Sequence, residues 1–256
     1  QHSHPNTTAP GDYPIAWCSE YGKGKVFYTS LGHREDIWTS DHYQKHILGG
    51  IHWALGLAKG DGKPINNRYE VSAEERAAGF KPLFNGINLD GWKLRQKDGA
   101  KSWNVQNGMM VNTVGKGEHG TDIVTNDKFW NFTVRYEYLI PKGSNSGFYL
   151  RGRHEIQIFD DYGKKPAMGG NGAIYSVKPV SLQASRRAGE WQEVEATIKG
   201  NRISVTLNGV QVHENVEVNR ATGSELDANV DQPGSLFVQG DHGAVALRNI
   251  RIKVLD

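Results

Sequence analysis

From Phe80 to Asp256 apolar and polar residues alternate with a period of two, which confines this part of the chain to strands with one buried face. Phe132, Val134, Tyr136, Tyr138 and Ile140 alternate with Thr133, Arg135 and Glu137. Val194, Ala196 and Ile198 alternate with Glu193, Glu195 and Thr197, and Ile250, Ile252 and Val254 with Asn249, Arg251 and Lys253. Two Asn-Gly pairs, Asn107-Gly108 and Asn208-Gly209, separate such runs. Asn-Gly suits a two-residue type I′ turn, because both central residues need positive φ. Short strands, strong turn chemistry and little helix predict an all-β sandwich of two antiparallel sheets.

The first residues differ. Residues 1–57 hold a turn-rich lead, one strand-like run (Lys25-Val26-Phe27-Tyr28-Thr29) and one helical stretch over 41–57. In that stretch Tyr43, His46, Ile47, Ile51, Trp53 and Ala54 fall near one face. One strand and one helix cannot close a core, so this partial α/β segment is expected to lean on other structure. Residues 58–71, polar and holding Gly60, Gly62 and Pro64, read as a linker. Ser72 and Glu75 form a capping box that predicts a short helix stopping at Gly79. The expected organisation is therefore 1–57, linker 58–71, and sandwich 72–256.

Composition narrows the function classes. The 30 basic and 28 acidic residues nearly cancel, so no bulk charge draws the chain to nucleic acid or membrane. No apolar run approaches the roughly 18 residues of a membrane span. Cys18 is the only cysteine, which excludes an internal disulfide and a cysteine zinc cluster. Gln1-His2-Ser3-His4 has neither the charged nor the apolar region of a signal peptide, so the chain reads as a mature or truncated product.

The run Asn145–Asp161, NSGFYLRGRHEIQIFDD, carries most of the chemistry. Phe148, Leu150, Ile156 and Ile158 are expected in the core. Tyr149, Arg151, Arg153, Glu155 and Gln157 line the other face, where same-side neighbours stand roughly 7 Å apart, a spacing that suits successive sugar hydroxyls. A β-bulge would re-aim Asp160 onto that face. The polar face of an antiparallel strand is usually solvated surface. Here the row mixes acid, amide, guanidinium and phenol, and Gly147 and Gly152 leave room for close approach. A second polar group, Gln239-Gly240-Asp241-His242-Gly243, precedes the last strand, and a histidine can change charge near neutral pH. Tyr175 and Trp191 read as core by aromatic base rate.

Seven segments in order resemble the 3-keto-disaccharide hydrolase family: GFKPLFNG at 79–86 with Gly91-Trp92, NSGFYLRG at 145–152, HEIQIFDD at 154–161, GAIY at 172–175, Gly189-Glu190-Trp191, Leu207-Asn208-Gly209, and Arg248-Asn249-Ile250. The resemblance covers about residues 72–256 and departs at VQGDHG, 238–243, by an extra glycine. It implies a concanavalin A-like jelly roll with a carbohydrate cleft on its concave sheet, and a bacterial periplasmic or extracellular enzyme cleaving 3-keto-glycosides. Residues 1–57 resemble the C-terminal end of a ThuA-like (trehalose-utilisation) domain, through Pro14-Ile15-Ala16-Trp17, Tyr21–Tyr28, Leu31-Gly32-His33 and the Gly49–Gly56 stretch with Trp53. A missing ThuA-like domain or a partner chain is the implied companion.

The implied chemistry removes the C2 proton, which a C3 ketone acidifies, expels the C1 substituent, and adds water. It needs a base, a stabiliser of the enolate oxygen and an acid near the leaving group. Glu155 and His242 are candidates for base or acid, with Asp160 next. Arg151 is the candidate cationic clamp; Asn145, Gln157, Tyr175 and Gln239 are candidate sugar ligands. A divalent metal ion could replace Arg151 as Lewis acid, with Glu155, Asp160 and His242 as ligand types. Two other readings stand: a retaining jelly-roll glycosidase built on Glu155, Gln157 and Asp160, and a non-catalytic carbohydrate-binding module.

Overall fold

The computed structural model describes residues 15–60, 62, 71–97, 99–114 and 119–256. The described residues fall into two compact units, 15–62 and 71–256.

In the N-terminal unit, β1 (Ala16–Tyr21) and β2 (Gly24–Thr29) form an antiparallel hairpin, followed by α1 (Glu35–Trp38) and α2 (Asp41–Ala54). The hairpin replaces the single expected strand; AWCSEY lacks the alternation that would have marked β1. A Cβ at Gly50 of α2 would overlap the Phe27 ring, so the missing side chain is what lets helix and hairpin meet closely. Tyr43, Gly50 and Trp53 are buried, while Ile51, expected on the same face, is exposed. On the hairpin, Trp17 and Tyr28 stack and are both exposed. Trp53 donates from its indole to Gly60 O, which draws the first residues of the expected linker onto this unit; most of that linker lies outside the described residues.

The larger unit begins with α3 (Ala73–Ala77). Ser72 caps it by accepting from Glu75 N–H, and Gly79 ends it at φ 91°, as the capping box predicts. The Glu75 carboxylate then reaches into the sandwich, binding Arg135 and Arg251 at 2.8 and 2.6 Å.

Two antiparallel sheets make the sandwich. The smaller runs β10 (His154–Phe159), β9 (Asn145–Leu150), β14 (Phe237–Val238), β7 (Ile123–Thr125), β4 (Trp92–Leu94). The larger runs β13 (Val210–Glu217), β12 (Arg202–Leu207), β11 (Gln192–Lys199), β8 (Phe132–Leu139), β15 (Val245–Val254), β6 (Met109–Asn112), β5 (Trp103–Gln106). The short β3 (Lys81–Pro82) pairs with β15. Both Asn-Gly turns have the positive φ pairs of type I′: 48° and 75° at Asn107-Gly108, 51° and 80° at Asn208-Gly209.

Phe148, Leu150, Ile156 and Ile158 lie in the core, and the Phe148 ring stacks on Tyr136 of the opposite sheet at 4.0 Å between centroids. That contact fixes which face of the β9–β10 hairpin points inward. Because side chains alternate, Tyr149, Glu155 and Gln157 must stand on the outer face of the smaller sheet.

Candidate active site

The β9–β10 register sets Glu155 opposite Tyr149, Gln157 opposite Gly147 and Phe159 opposite Asn145. The Tyr149 hydroxyl donates to Glu155 Oε2 at 2.8 Å, and the Glu155 backbone N–H donates to Thr222 Oγ1 at 2.9 Å. Tyr149 is itself held by stacking on Phe237, 3.8 Å between centroids. A Cβ at position 147 would overlap Glu155 Oε1, so Gly147 is the residue that lets this carboxylate lie over its neighbour strand.

This outer face is not solvated surface. Glu155 is 4% exposed and Gln157 5%. Burial pushes Glu155 up to about pKa 7, against the Tyr149 hydrogen bond and the nearby His242, which both pull it down. Burial, with Glu155 beside it, pushes Tyr149 up, so the phenol keeps its proton and acts as donor. The result is a carboxyl group poised to exchange a proton near neutral pH.

A cavity of about 120 Å³ opens over Glu155. The hairpin supplies Asn145, Tyr149, Glu155 and Gln157; the loop after β13 supplies Gly223 and Ser224; the link from β14 to β15 supplies Gln239 and His242. Tyr175, expected in the core, is 38% exposed and lines the cavity. It arrives there because 172–175 adds to the β10 edge, through Gly172 N–H to Gln157 O and Tyr175 N–H to Glu155 O. Asn145 Oδ1 is buried without a hydrogen-bond partner, an acceptor left for a ligand. Among the described residues, no hydrogen bond uses the side chains of Gln239 or Tyr175. His242 Nδ1 is hydrogen-bonded to Asp241 Oδ1, which leaves Nε2 as the unbound ring nitrogen.

Thus Asn145, Glu155, Gln157, Tyr175, Gln239 and His242 converge on one cavity, and two expected members do not. Arg151 belongs to the turn, not the row: Arg151-Gly152 has φ 54° and 71°, and Arg153 N–H closes it onto Leu150 O. Its guanidinium lies 3.5 Å over the Trp130 ring and donates from Nε to Trp130 O at the hairpin end, while Nη2 is buried without a hydrogen-bond partner. Asp160 is not re-aimed, because the β9–β10 register runs without a shift to Phe159. Alternation sends Asp160 the other way, where Oδ2 accepts from Gly143 N–H at 2.8 Å. Trp191, expected in the core, is partly buried: it packs against the cluster of Met109, Val111 and Ala246, with the Arg248 guanidinium 3.9 Å from its ring.

Residues that sequence reasoning did not single out hold the cavity walls. Asn112 of β6, fully buried, donates from Nδ2 to Gly240 O at 2.9 Å and Gly243 O at 3.0 Å, bracketing Asp241-His242. Asp122 accepts from Gly240 N–H at 3.0 Å and pairs with Arg95 at 3.0 Å. Arg95 also donates to Ser224 O and Glu225 O at 2.9 and 2.8 Å. One ion pair therefore ties the Ser224 wall to the His242 wall. Beyond it, Arg153, expected in the polar row but absent from the cavity lining, anchors the same loop through Asp227 Oδ1 at 2.8 Å and Gln232 O at 2.7 Å. These contacts span from 27 to 131 residues, and no local pattern announces them. The Asp-His dipeptide at 241–242 and the place of Tyr149 in the alternating row were the available signals. Among the described residues, no three His, Cys, Asp or Glu side chains are grouped to hold a metal ion.

Residues 79–253 match the model of the 3-keto-alpha-glucoside-1,2-lyase-like domain. The chain belongs to this family. Residues 1–54 match the model for trehalose utilisation, ThuA. A curated relative, the 3-keto-disaccharide hydrolase of Bacteroides thetaiotaomicron, is 26% identical over 232 residues, 70% of this chain and 80% of that protein. Two crystal structures of Parabacteroides distasonis proteins, each described as a candidate glycosyl hydrolase, share the fold. One is 25% identical with a TM-score of 0.61, covering 73% of this chain and 99% of that one. The other is 28% identical with a TM-score of 0.55, covering 68% and 82%. The family's boundaries coincide with the sandwich and include every residue of the cavity.

Proposed function

We propose that the sandwich is a glycosyl hydrolase-like enzyme that cleaves 3-keto-glycosides, and that Glu155 is its base. The carrying observation is a carboxylate 4% exposed, raised to about pKa 7, held at one oxygen by Tyr149, with its other oxygen over Gly147. A base that must take a weakly acidic C–H proton at neutral pH gains from that basicity.

Glu155 takes the C2 proton of the 3-keto sugar. The C2–H electrons form the enolate, which collapses to expel the C1 oxygen substituent. His242, oriented by Asp241, gives that oxygen a proton. Water then adds across C1=C2, hydroxyl to C1 and proton to C2, for net hydrolysis. Asn145, Gln157, Tyr175 and Gln239 bind the sugar hydroxyls, with Asn145 Oδ1 accepting from one of them, and the side-chain amide N–H groups of Asn145 and Gln239 are the donors available to the enolate oxygen. Family membership and the name of the Bacteroides thetaiotaomicron relative support the substrate class.

The retaining-glycosidase reading loses its support in the hairpin. It needs two facing carboxylates about 5–5.5 Å apart, and Asp160 leaves the face that Glu155 occupies. The deciding experiment compares turnover of a 3-keto-glucoside with that of its unoxidised parent, with and without chelator. Cleavage is expected only of the ketone. Equal cleavage of the parent would overturn the mechanism, and tight binding without turnover of either would make the domain a binding module.

A further inference from the structure

The segment that brings Tyr175 to the cavity begins with Gly169-Gly170-Asn171-Gly172, in which Asn171 is the single residue with a side chain. The glycines let the run lie close on its neighbours. A Cβ at Gly170 would stand 2.9 Å from Asp161 Oδ2, and one at Gly172, where φ is 74°, would meet Leu207 and Val180 at 3.0 and 3.1 Å. The Asn171 side chain is fully buried. Its Oδ1 accepts from the Tyr138 hydroxyl at 2.7 Å and from Phe159 N–H at 3.0 Å. Its Nδ2 donates to Ser185 Oγ at 3.0 Å and to Gln192 Oε1 at 3.3 Å, and its backbone N–H to Asp161 Oδ2 at 2.8 Å. Both acceptor and both donor positions of the carboxamide are therefore filled. Tyr138 and Gln192 belong to the larger sheet and Phe159 to the smaller, so one side chain pins the segment to both.

The pinned segment in turn holds Gln157 by its backbone and its side chain. Gln157 N–H donates to Ala173 O at 3.0 Å, Gln157 O accepts from Gly172 N–H at 2.8 Å, and Nε2 donates to Gly169 O at 3.3 Å. At the other end of the amide, Oε1 accepts from Ile158 N–H at 3.2 Å. A carbonyl against one end and an N–H against the other fix which atom is which, and the second N–H of Nε2 is left for the cavity that Gln157 lines. We propose that Asn171 is a positioning residue: through Gly169 and Gly172 it sets the Gln157 amide as a hydrogen-bond donor to the sugar, and so serves substrate binding rather than proton transfer. The inference rests on reading the Glu155 cavity as the sugar site. Asn171 does not line that cavity, so its effect on a ligand has to pass through Gln157 and the segment beside it. The Tyr149–Glu155 bond is made within the β9–β10 hairpin and does not involve it.

The test is a double-mutant cycle of Asn171→Ser and Gln157→Ala, read by turnover of a 3-keto-glucoside. Asn171→Ser alone should raise KM about fivefold, the worth of one hydrogen bond, with kcat and its pH dependence unchanged. On the Gln157→Ala background the same substitution should raise KM less than about 1.5-fold, because the group it positions is gone. Full additivity, a loss in kcat with KM unmoved, or no effect at all would overturn the role. If Asn171→Ser does not fold, Asp161→Asn takes its place in the cycle with the same expected coupling, since it keeps its shape and weakens the acceptor of Asn171 N–H. If wild type turns over no ketone, the reading of the site fails, and the positioning is decided without substrate. Solvent exchange of the Gln157 side-chain amide protons, followed by NMR, should then be about 10-fold faster in the variant than in wild type, with exchange at Phe148 N–H unchanged. Equal rates at Gln157 in both proteins would overturn it.

Discussion

The two faces of the β9–β10 hairpin are buried to the same degree and built from opposite materials. Inward stand Phe148, Leu150, Ile156 and Ile158; outward stand Tyr149, Glu155 and Gln157, all 5% exposed or less. On the inner face burial is the source of stability, since each large side chain removes apolar area from water. On the outer face burial is a cost, visible in the basicity forced on Glu155. The comparison teaches that a strand can carry both a core and a site without changing its burial, and that the sign of the burial energy tells them apart.

The sharpest way to break this comparison is to truncate one residue on each face. Phe148→Ala should lose about 3–5 kcal/mol of stability in a denaturant titration, the ordinary cost of an emptied aromatic site. Kinetics should follow only the folded fraction. A loss below about 1 kcal/mol would mean that the inner face is not packed as described.

Glu155→Gln should do the reverse: lower kcat at least about 100-fold and stabilise the fold. Below about pH 4.5 the carboxyl is protonated whether folded or unfolded, and the substitution changes little. Between there and about 7 the unfolded chain has given up the proton while the folded one retains it, so wild-type stability falls as pH rises. Glu155→Gln escapes that fall and should gain about 3 kcal/mol above neutral pH. Thermal midpoints at pH 4 and pH 8 read the difference. A midpoint gain equal at both pH values would show that Glu155 is not held protonated by its surroundings.

Tyr149→Phe removes the donor that favours the Glu155 carboxylate while keeping the stack on Phe237. Glu155 should then hold its proton more firmly, and the ascending limb of the kcat/KM–pH profile should move about one unit upward. An unmoved limb would separate Tyr149 from the titrating group. Smallest is Gln157→Glu, which should raise KM more than it lowers kcat, by less than about 10-fold. A kcat loss as large as that of Glu155→Gln would exchange the roles of the two residues.

How much of this was legible follows the range of the interactions. Phe148 and Ile156 could be read inward because alternation is local, and Glu155 and Gln157 could be read outward for the same reason. The phase was lost at Arg151, where a turn formed by Arg-Gly lacks the Asn-Gly signature, and at Asp160, where a bulge was expected and the register runs straight. Tyr175 was hidden by its composition: an aromatic residue in GAIY looks like core until its segment is seen to extend the β10 edge. Ser224 and the Arg95–Asp122 pair were beyond reach, because the closure that joins residues 95, 122, 224 and 240 exists only after the sandwich has formed.

Asn112 has a practical meaning for anyone who would move this chemistry to another scaffold. It belongs to β6 of the larger sheet, yet it grips Gly240 and Gly243 on either side of His242, while Glu155 rides on the smaller sheet. The proposed base is therefore mounted on the smaller sheet, while the segment carrying the proposed acid is held by Asn112 of the larger sheet as well as by Asp122 beside β7. Transplanting the β9–β10 hairpin would carry the proposed base and leave the proposed acid behind. A working graft has to copy the spacing of two sheets, and a family diversifying by repacking its core alters that spacing at once.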